Sequence, residues 1–563
     1  MHRTNPIARD VGTGVGICVA LLVSCWGQAL GSPPEELQPP AHWRSVPTDL
    51  RVTGGSRIRE VHYPPGKPPR FLRRDNKKIV RPAARRAHLA LPPERLAART
   101  DDASPTVDAW IIDTPPLDGL VSSIAVVATD ERLGDLELDA VPSTTVGGYL
   151  LNPDPLESNY AVGLYDTGAS AHVMGYGAAT ELGIIGADLL TSSIVTITGV
   201  TGSVDASVSW PLGVYVDGLQ AIDPDTLLLD TAGMVGQYNV SIAVGPPPEP
   251  EQPDLPTPLG SPLSVYYAAA FDNGQAVTRT HGGETYTAPR IDVYPLGDPL
   301  IPTYPNSVPL ELRPTDAAAV QYIPCLDYYG CPDGFDAPST PSIIVGSFST
   351  QSLFFVSSVD LYYGPHSAID KDQFMIDTGA QVSVVGNRVA SELSLDPANP
   401  DFLVPIQGVD GQTTMAPGFT ISGIDIPALG EWLRFLQVPV VLLDVASPEG
   451  GTLDGIIGMN LMTNLNFVLH GGGLAGQPAP SLEYEVIVPA TVDVDFDSDG
   501  DVDMDDFSHF QACLTGPEAI QSDTACQNAL LDADSDVDDD DRGLFLNCLS
   551  GADIPAAPAC TTP

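Results

Sequence analysis

The chain has 563 residues, 43% of them apolar and 17% charged, which is too many for one core and enough for roughly two or three domains. Its 55 prolines and 53 glycines favour short strands and turns over long helices. A formal charge of −47 argues against nucleic acid and anionic membranes as partners and favours cations, calcium above all, and basic partners.

The elements follow in chain order. Arg3 and Arg9 precede the apolar run VGTGVGICVALLV, which resembles an export signal over residues 1–31 and is too short for a permanent transmembrane helix. Two processing sites compete: ALG at 29–31, and a lipobox-like LVSC at 22–25 that would lipidate Cys25. Either one implies a secreted, periplasmic or cell-surface protein. Membrane attachment is expected only with the lipid. Residues 32–105 form a Pro-rich basic leader holding fifteen of the 25 Lys and Arg, and its lack of periodicity predicts weak order. The pairs Arg73–Arg74 and Arg85–Arg86 are candidate processing points. From 106 to 245, SSIAVVAT, SSIVTITGV and WPLGVYVDGL alternate as strands do. Residues 246–262 are a linker by composition, 263–488 form a second β-rich region, and 490–563 an acidic module.

Six cysteines lie beyond the signal: Cys325, Cys331, Cys513, Cys526, Cys548 and Cys560. An even number in an exported chain predicts disulfides, and CLDYYGC would close a local loop. The sequence has no HExxH, GxSxG or Walker loop.

The two β-rich regions repeat each other. LYDTGASAHVMG around Asp166 aligns with MIDTGAQVSVVG around Asp377, 211 residues later. TGVTGSV at 198–204 then faces QGVDGQT at 407–413, and GMVG at 233–236 faces GIIG at 455–458. Recurrence in the same order carries far more weight than a lone DTG, which is usually a turn.

These motifs resemble the aspartic proteases, the retropepsin type most closely, over roughly residues 140–245 and 340–470. As in pepsin-like enzymes, both lobes lie in one chain. The resemblance implies a mainly β, bilobal fold of two six-stranded-type lobes related by internal duplication. It also implies an endopeptidase acting on peptide or protein substrates. Asp166 and Asp377 would be the catalytic pair, with Thr167, Gly168, Thr378 and Gly379 supporting the loops. The glycines permit sharp turns, and each threonine can bond to the opposite loop. Two carboxylates about 3 Å apart share one proton and can activate water with no metal or other cofactor. The flap assignments to 198–204 and 407–413 are weaker, because neither tip carries a tyrosine. His172 has no role in this chemistry and is expected to be an ordinary side chain. The leader's cations could lie across an acidic cleft as an inhibitory pro-segment, or form a solvated linker.

DFDSDGDVDMDD, residues 495–506, has the spacing of a calcium loop. Asp495, Asp497 and Asp499 take positions 1, 3 and 5, Gly500 the turn, Asp501 a carbonyl ligand, with Asp503 and Asp506 closing the loop. Asp in the last position and a short following helix resemble a small α-helical dockerin domain, which implies a cohesin-like partner. In a second, degraded copy Leu530 falls on position 1, leaving Asp532, Asp534, Asp536, Asp538 and Asp541 as weaker ligands.

Two other readings of the lobes stand beside the enzyme. They could form a catalytically silent peptide-binding scaffold, or they could pair between chains. Ala169 and Ala380 follow the glycines where a hydroxyl could otherwise donate to the ionised pair and lower its pKa. A pH–rate profile should therefore show a less acid-shifted optimum than pepsin-like enzymes. An optimum at about pH 2 would contradict this.

Overall fold

The computed structural model describes residues 38–551, apart from 54–55, 66–77, 81–107, 131–140, 153–158, 199–201, 249–253, 315–319, 324–342, 348–351, 408–411, 448–450, 474–475, 488–493, 498, 518 and 532–534. The export signal with Cys25, both Arg–Arg pairs, Cys325, Cys331, Cys560, both flap tips, Asp532 and Asp534 lie outside the described residues. No helix among the described residues is long and apolar enough to cross a membrane.

Arg44–Thr53 (β1) and Ser56–Tyr63 (β2) pair as an antiparallel hairpin inside the segment expected to be weakly ordered. Its apolar residues alternate, but arginines and glycines dilute the pattern in sequence. Leu50, Val52, Ile58, Val61 and Tyr63 are all buried in one cluster with the second lobe. At about 1.5–3 kcal/mol for each large apolar side chain buried, that contact rivals the net stability of a small domain. Asp108–Asp113 (β3) also joins the second lobe, against the boundary expected at 106.

The first lobe begins with Ser123–Asp130 (β4), which pairs with Ala161–Tyr165 (β5). A tight loop then leads to Val173–Met174 (β6) and a short helix, Tyr176–Glu181 (α1). Leu190–Thr198 (β7) and Ser203–Ser209 (β8) make a hairpin, and Ala243–Val244 (β9) runs beside β8 and β6. The lobe does not end at 245. Asp254 accepts hydrogen bonds from the backbone N–H groups of Tyr176 and Gly177 at the start of α1, and Pro258–Leu259 (β10) pairs parallel with β5. The end of the compositional linker is thus structural, its prolines tolerated because a short edge pairing needs few donors.

Tyr267–His281 (β11) and Glu284–Pro295 (β12) form a long hairpin that extends into a five-stranded sheet. The second lobe repeats the chain path of the first. Phe374–Ile376 (β13) leads through a loop to Val384–Val385 (β14) and the helix Asn387–Glu392 (α2). Phe402–Gln407 (β15), Thr413–Ala428 (β16) and Glu431–Leu442 (β17) follow, and then Gly455–Ile457 (β18). Its sheet runs in the order β1-β2-β15-β16-β17-β14-β18-β13, with the N-terminal hairpin as its edge. Leu465–His470 (β19) returns to β11, where Phe467 stacks on Phe271 with ring centroids 4.5 Å apart.

The C-terminal module holds two helices, Met504–Cys513 (α3) and Asp539–Cys548 (α4), around its own core of Val502, Phe510, Val537 and Phe545. Cys513 and Cys526 form a disulfide. The backbone carbonyl of Val502 accepts from Ser550 and Gly551, and that of Val537 from Thr515 and Gly516, so the two halves repeat at 35 residues.

Candidate active site

Each lobe delivers one aspartate by the same construction. β5 pairs parallel with β10, and the Asp166 N–H donates to the Leu259 carbonyl at 3.0 Å. β13 pairs parallel with β18, and the Asp377 N–H donates to the Ile457 carbonyl at 3.1 Å. The next turn is locked from behind by Ser261 N–H to Ala169 O and Met459 N–H to Ala380 O, both 2.8 Å. The segment matching GIIG in the first lobe is therefore PLG at 258–260, not GMVG at 233–236. Val235–Gly236 instead lies opposite Tyr215–Val216 in an ordinary antiparallel pair. Apolar-apolar-glycine is common at strand ends, and a proline in the true partner disguised it.

The two loops meet. A Cβ at Gly168 would stand 2.4 Å from Cγ of Asp377, and one at Gly379 would stand 2.4 Å from Cγ of Asp166. Only glycine lets each backbone close over the opposite carboxylate. Asp166 Oδ1 accepts from Gly168 and Ala169 N–H at 2.9 and 3.0 Å. Asp377 Oδ1 accepts from Gly379 and Ala380 N–H at 2.8 and 3.0 Å.

The threonines cross between the loops. The Thr167 N–H donates to Thr378 Oγ1 at 3.2 Å, and the Thr378 N–H donates to Thr167 Oγ1 at 3.1 Å. Thr167 Oγ1 in turn donates to the Ile376 carbonyl at 2.8 Å, and Thr378 Oγ1 to that of Tyr165 at 2.5 Å. Four backbone groups that no sheet ladder satisfies are thereby paired inside the protein. Buried Ser122 adds a third bridge, its one hydroxyl proton shared between the carbonyls of Tyr165 at 2.9 Å and Thr378 at 2.7 Å.

Sequence reading missed Ser122, Gln381, Ser383 and Asn460. The repeat alignment could have found one of them, since Ser383 aligns with His172. The Gly458 N–H donates to Ser383 Oγ at 3.0 Å, and the Gly260 N–H donates to His172 Nδ1 at 3.2 Å. His172 thus braces the first lobe's loop. Burial pushes its pKa down to about 4, with a hydrogen bond to Gln237 opposing, so it is neutral above that pH.

Both aspartates are buried. Burial pushes Asp166 up to about 6, against lowering by hydrogen bonds from Asp377, Gly168 and Ala169. Burial first, and the Asp166 charge second, hold Asp377 well above the ordinary carboxylate range. Among the described residues Asp166 Oδ2 receives no donor, so a proton held with Asp377 is what they offer it. A pair that retains one proton while its other carboxylate is ionised can serve as acid and base together.

In the C-terminal module, Asp495, Asp497 and Asp499 bring ligand oxygens within 4.8 Å of one another, as do Asp501, Asp503 and Asp506, and Asp536, Asp538 and Asp541. Gly500 has φ +99°, a turn favouring glycine. Asp503 also caps α3 by accepting from the Asp505 N–H. Asp506 accepts from Phe496 and Asp503 N–H, as Asp541 does from Leu531 and Asp538. All-oxygen donor sets of this kind suit hard cations such as Ca²⁺.

Residues 370–461, which include Asp377 and reach into the short helix Met459–Met462 after β18, match a protein-family model described as aspartyl protease. No curated protein matches the chain significantly. The family match supports an aspartic protease, a hydrolase that binds peptide or protein.

The raised carboxyls have a stability consequence. The folded pair holds protons that the unfolded chain releases near 3.8, so stability falls as pH rises from there through about 6. Asp377→Asn removes one ionisable partner while keeping an acceptor for Gly379 and Ala380. The variant should melt above wild type at pH 7, with the advantage shrinking at pH 4, as calorimetry would measure. An equal difference at both pH values would contradict the buried charge cost.

Proposed function

We propose that this protein is an exported, single-chain aspartic peptidase whose Asp166/Asp377 pair activates water, with a calcium-binding module at its C-terminal end. The observation that carries the reading is the closure of the two DTGA loops on each other, through the Thr167–Thr378 crossing and the glycine-over-carboxylate contacts. The family match over 370–461 supports the same chemistry for the second lobe. Matching chain paths in the two lobes support an internal duplication.

In the proposed reaction the ionised carboxylate takes a proton from a bound water as its oxygen attacks the scissile carbonyl carbon. The protonated carboxyl donates to the carbonyl oxygen, giving a tetrahedral diol. The C–N bond then breaks as the nitrogen takes the pair's proton and one diol hydroxyl gives its proton back to the pair, leaving a carboxylic acid, an amine and carboxylates that again share one proton. The proton belongs to the pair, and neither residue alone owns it. Thr167 and Thr378 hold the loops, and the Gly168 and Gly379 N–H groups fix Oδ1 of their own aspartate.

Asp495, Asp497, Asp499 and Asp506, with the Asp501 carbonyl and Asp503, would hold Ca²⁺ in the first loop. Asp536, Asp538 and Asp541 would form the weaker second site, with Asp532 and Asp534 as further ligands. The cation would supply charge neutralisation for the clustered carboxylates, and folding of the module would follow from its binding. The 35-residue repeat of loop and helix supports the dockerin-like reading, in which the module docks to a cohesin-like partner.

Two outcomes are expected. Asp166→Asn and Asp377→Asn should each lower hydrolysis of a peptide library by on the order of 10²–10⁴-fold while preserving the circular-dichroism spectrum. Folded variants as active as wild type would exclude the pair. Titrating Ca²⁺ into metal-stripped full-length protein should raise the melting point of the C-terminal module, and Asp506→Asn should abolish most of that rise. No shift on titration would exclude the calcium site.

A further inference from the structure

The two halves of the candidate cleft are not equivalent. On the second lobe, β1 meets the chain just beyond the Asp377 turn. Gln381, four residues beyond Asp377, donates its N–H to the Arg51 carbonyl, and its Oε1 accepts from the Arg51 N–H, both at 2.8 Å. The remaining polar groups of Gln381 are also taken by its own chain. Its carbonyl accepts from Gly119 and Asn460 N–H, and its Nε2 donates to the Gly119 carbonyl at 2.9 Å. β2 meanwhile pairs with the roof strand β15, with Arg57 opposite Gln407 and Ile58 opposite Ile406. Leu50, Val52 and Ile58 share one buried cluster with Ala380, Val382, Val384, Val404 and Ile406.

The corresponding first-lobe residues are buried without the hairpin. Ala171, Val173, Val195, Ile197 and Ala206 form their own cluster, to which β1 and β2 contribute nothing. Its roof strand β7 ends a four-stranded sheet ordered β7-β8-β9-β6, and no described strand lies on its outer edge. β15, its counterpart, carries β2 there. A sheet edge is where an extended peptide can bind by strand addition.

We propose that the β1–β2 hairpin is a fixed wall across the second-lobe half of the cleft, so that the protein cleaves close to a chain end, with most of the substrate laid along the first-lobe half as an added strand on β7. This rests on the peptidase reading and narrows it from endopeptidase to a chain-end-limited enzyme. The hairpin is a wall and not a lid, because five buried apolar side chains, the β2–β15 pairing and the two Arg51–Gln381 hydrogen bonds hold it. Displacing it would expose that surface with no equal return from a short peptide.

The test compares full-length wild type with two variants on a long linear peptide and a head-to-tail cyclic peptide of the same sequence, with products read by mass spectrometry. Arg57→Cys/Gln407→Cys, oxidised across the β2–β15 pair, locks the hairpin. Val52→Asp/Ile58→Asp loosens it. Wild type should trim the linear peptide near one end and cut the cyclic one at least about tenfold more slowly in kcat/KM. The locked variant should behave as wild type does, and the loosened variant should gain cleavage of the cyclic peptide. If the loosened variant does not fold, the locked one decides. Loss of all cleavage on locking, restored by a reductant harmless to wild type, would show that the hairpin must leave and would overturn the wall. So would equal cleavage of cyclic and linear peptides by wild type. If no form cleaves either peptide or binds a peptide carrying a hydroxyethylene in place of the scissile bond, the peptidase reading fails and the inference falls with it.

Discussion

Two carboxylates buried against each other are the constraint that shapes the centre of this molecule. Each would be costly alone, and together they repel unless a proton is shared. The surrounding loops make the arrangement tolerable. Each aspartate is held by two backbone donors of its own turn, and each turn is held by the threonine of the other lobe. Neither lobe can satisfy its loop by itself, since Thr167 finds its carbonyl partner at Ile376 and Thr378 finds its partner at Tyr165. Loop geometry, lobe association and the raised acidity constants are therefore one coupled arrangement.

The supports behind the loops show how one geometry is reached with different residues. The glycine after β10 or β18 must reach a side-chain acceptor six residues past the aspartate. The first lobe uses a buried neutral histidine and the second a serine. What the two solutions share is an acceptor at the right height, not a residue type. The symmetry ends at the cleft. The second lobe gives its roof edge and the chain just beyond the Asp377 turn to the N-terminal hairpin, whereas the first lobe's roof strand ends its sheet.

Much of the centre was legible in the sequence because it depends on residues with few substitutes. Glycine is the only residue that fits over the opposing carboxylate, so DTGA stands out twice. The first-lobe hairpin was legible from strand alternation in SSIVTITGV. Three features were not. PLG was hidden by prolines that made its surroundings look like a linker, although only two residues of β10 pair. The hairpin at 44–63 was hidden by its arginines, which interrupt an alternation whose apolar residues fill the core. Gln381 was invisible because its partners, Arg51 and Gly119, are distant in sequence and bond largely through their backbones. Backbone recognition leaves almost no trace in side-chain identity.

The central claim is that Asp166 and Asp377 titrate as a single unit sharing a proton, and it is most directly tested by ¹³C NMR of carboxyl-labelled aspartates across pH in full-length protein. The account predicts two resonances that titrate together, well above the ordinary aspartate range, and that both change when Asp377→Asn is introduced. If every aspartate in the folded protein titrates independently near 3.8, the two halves do not form one site and the account is wrong.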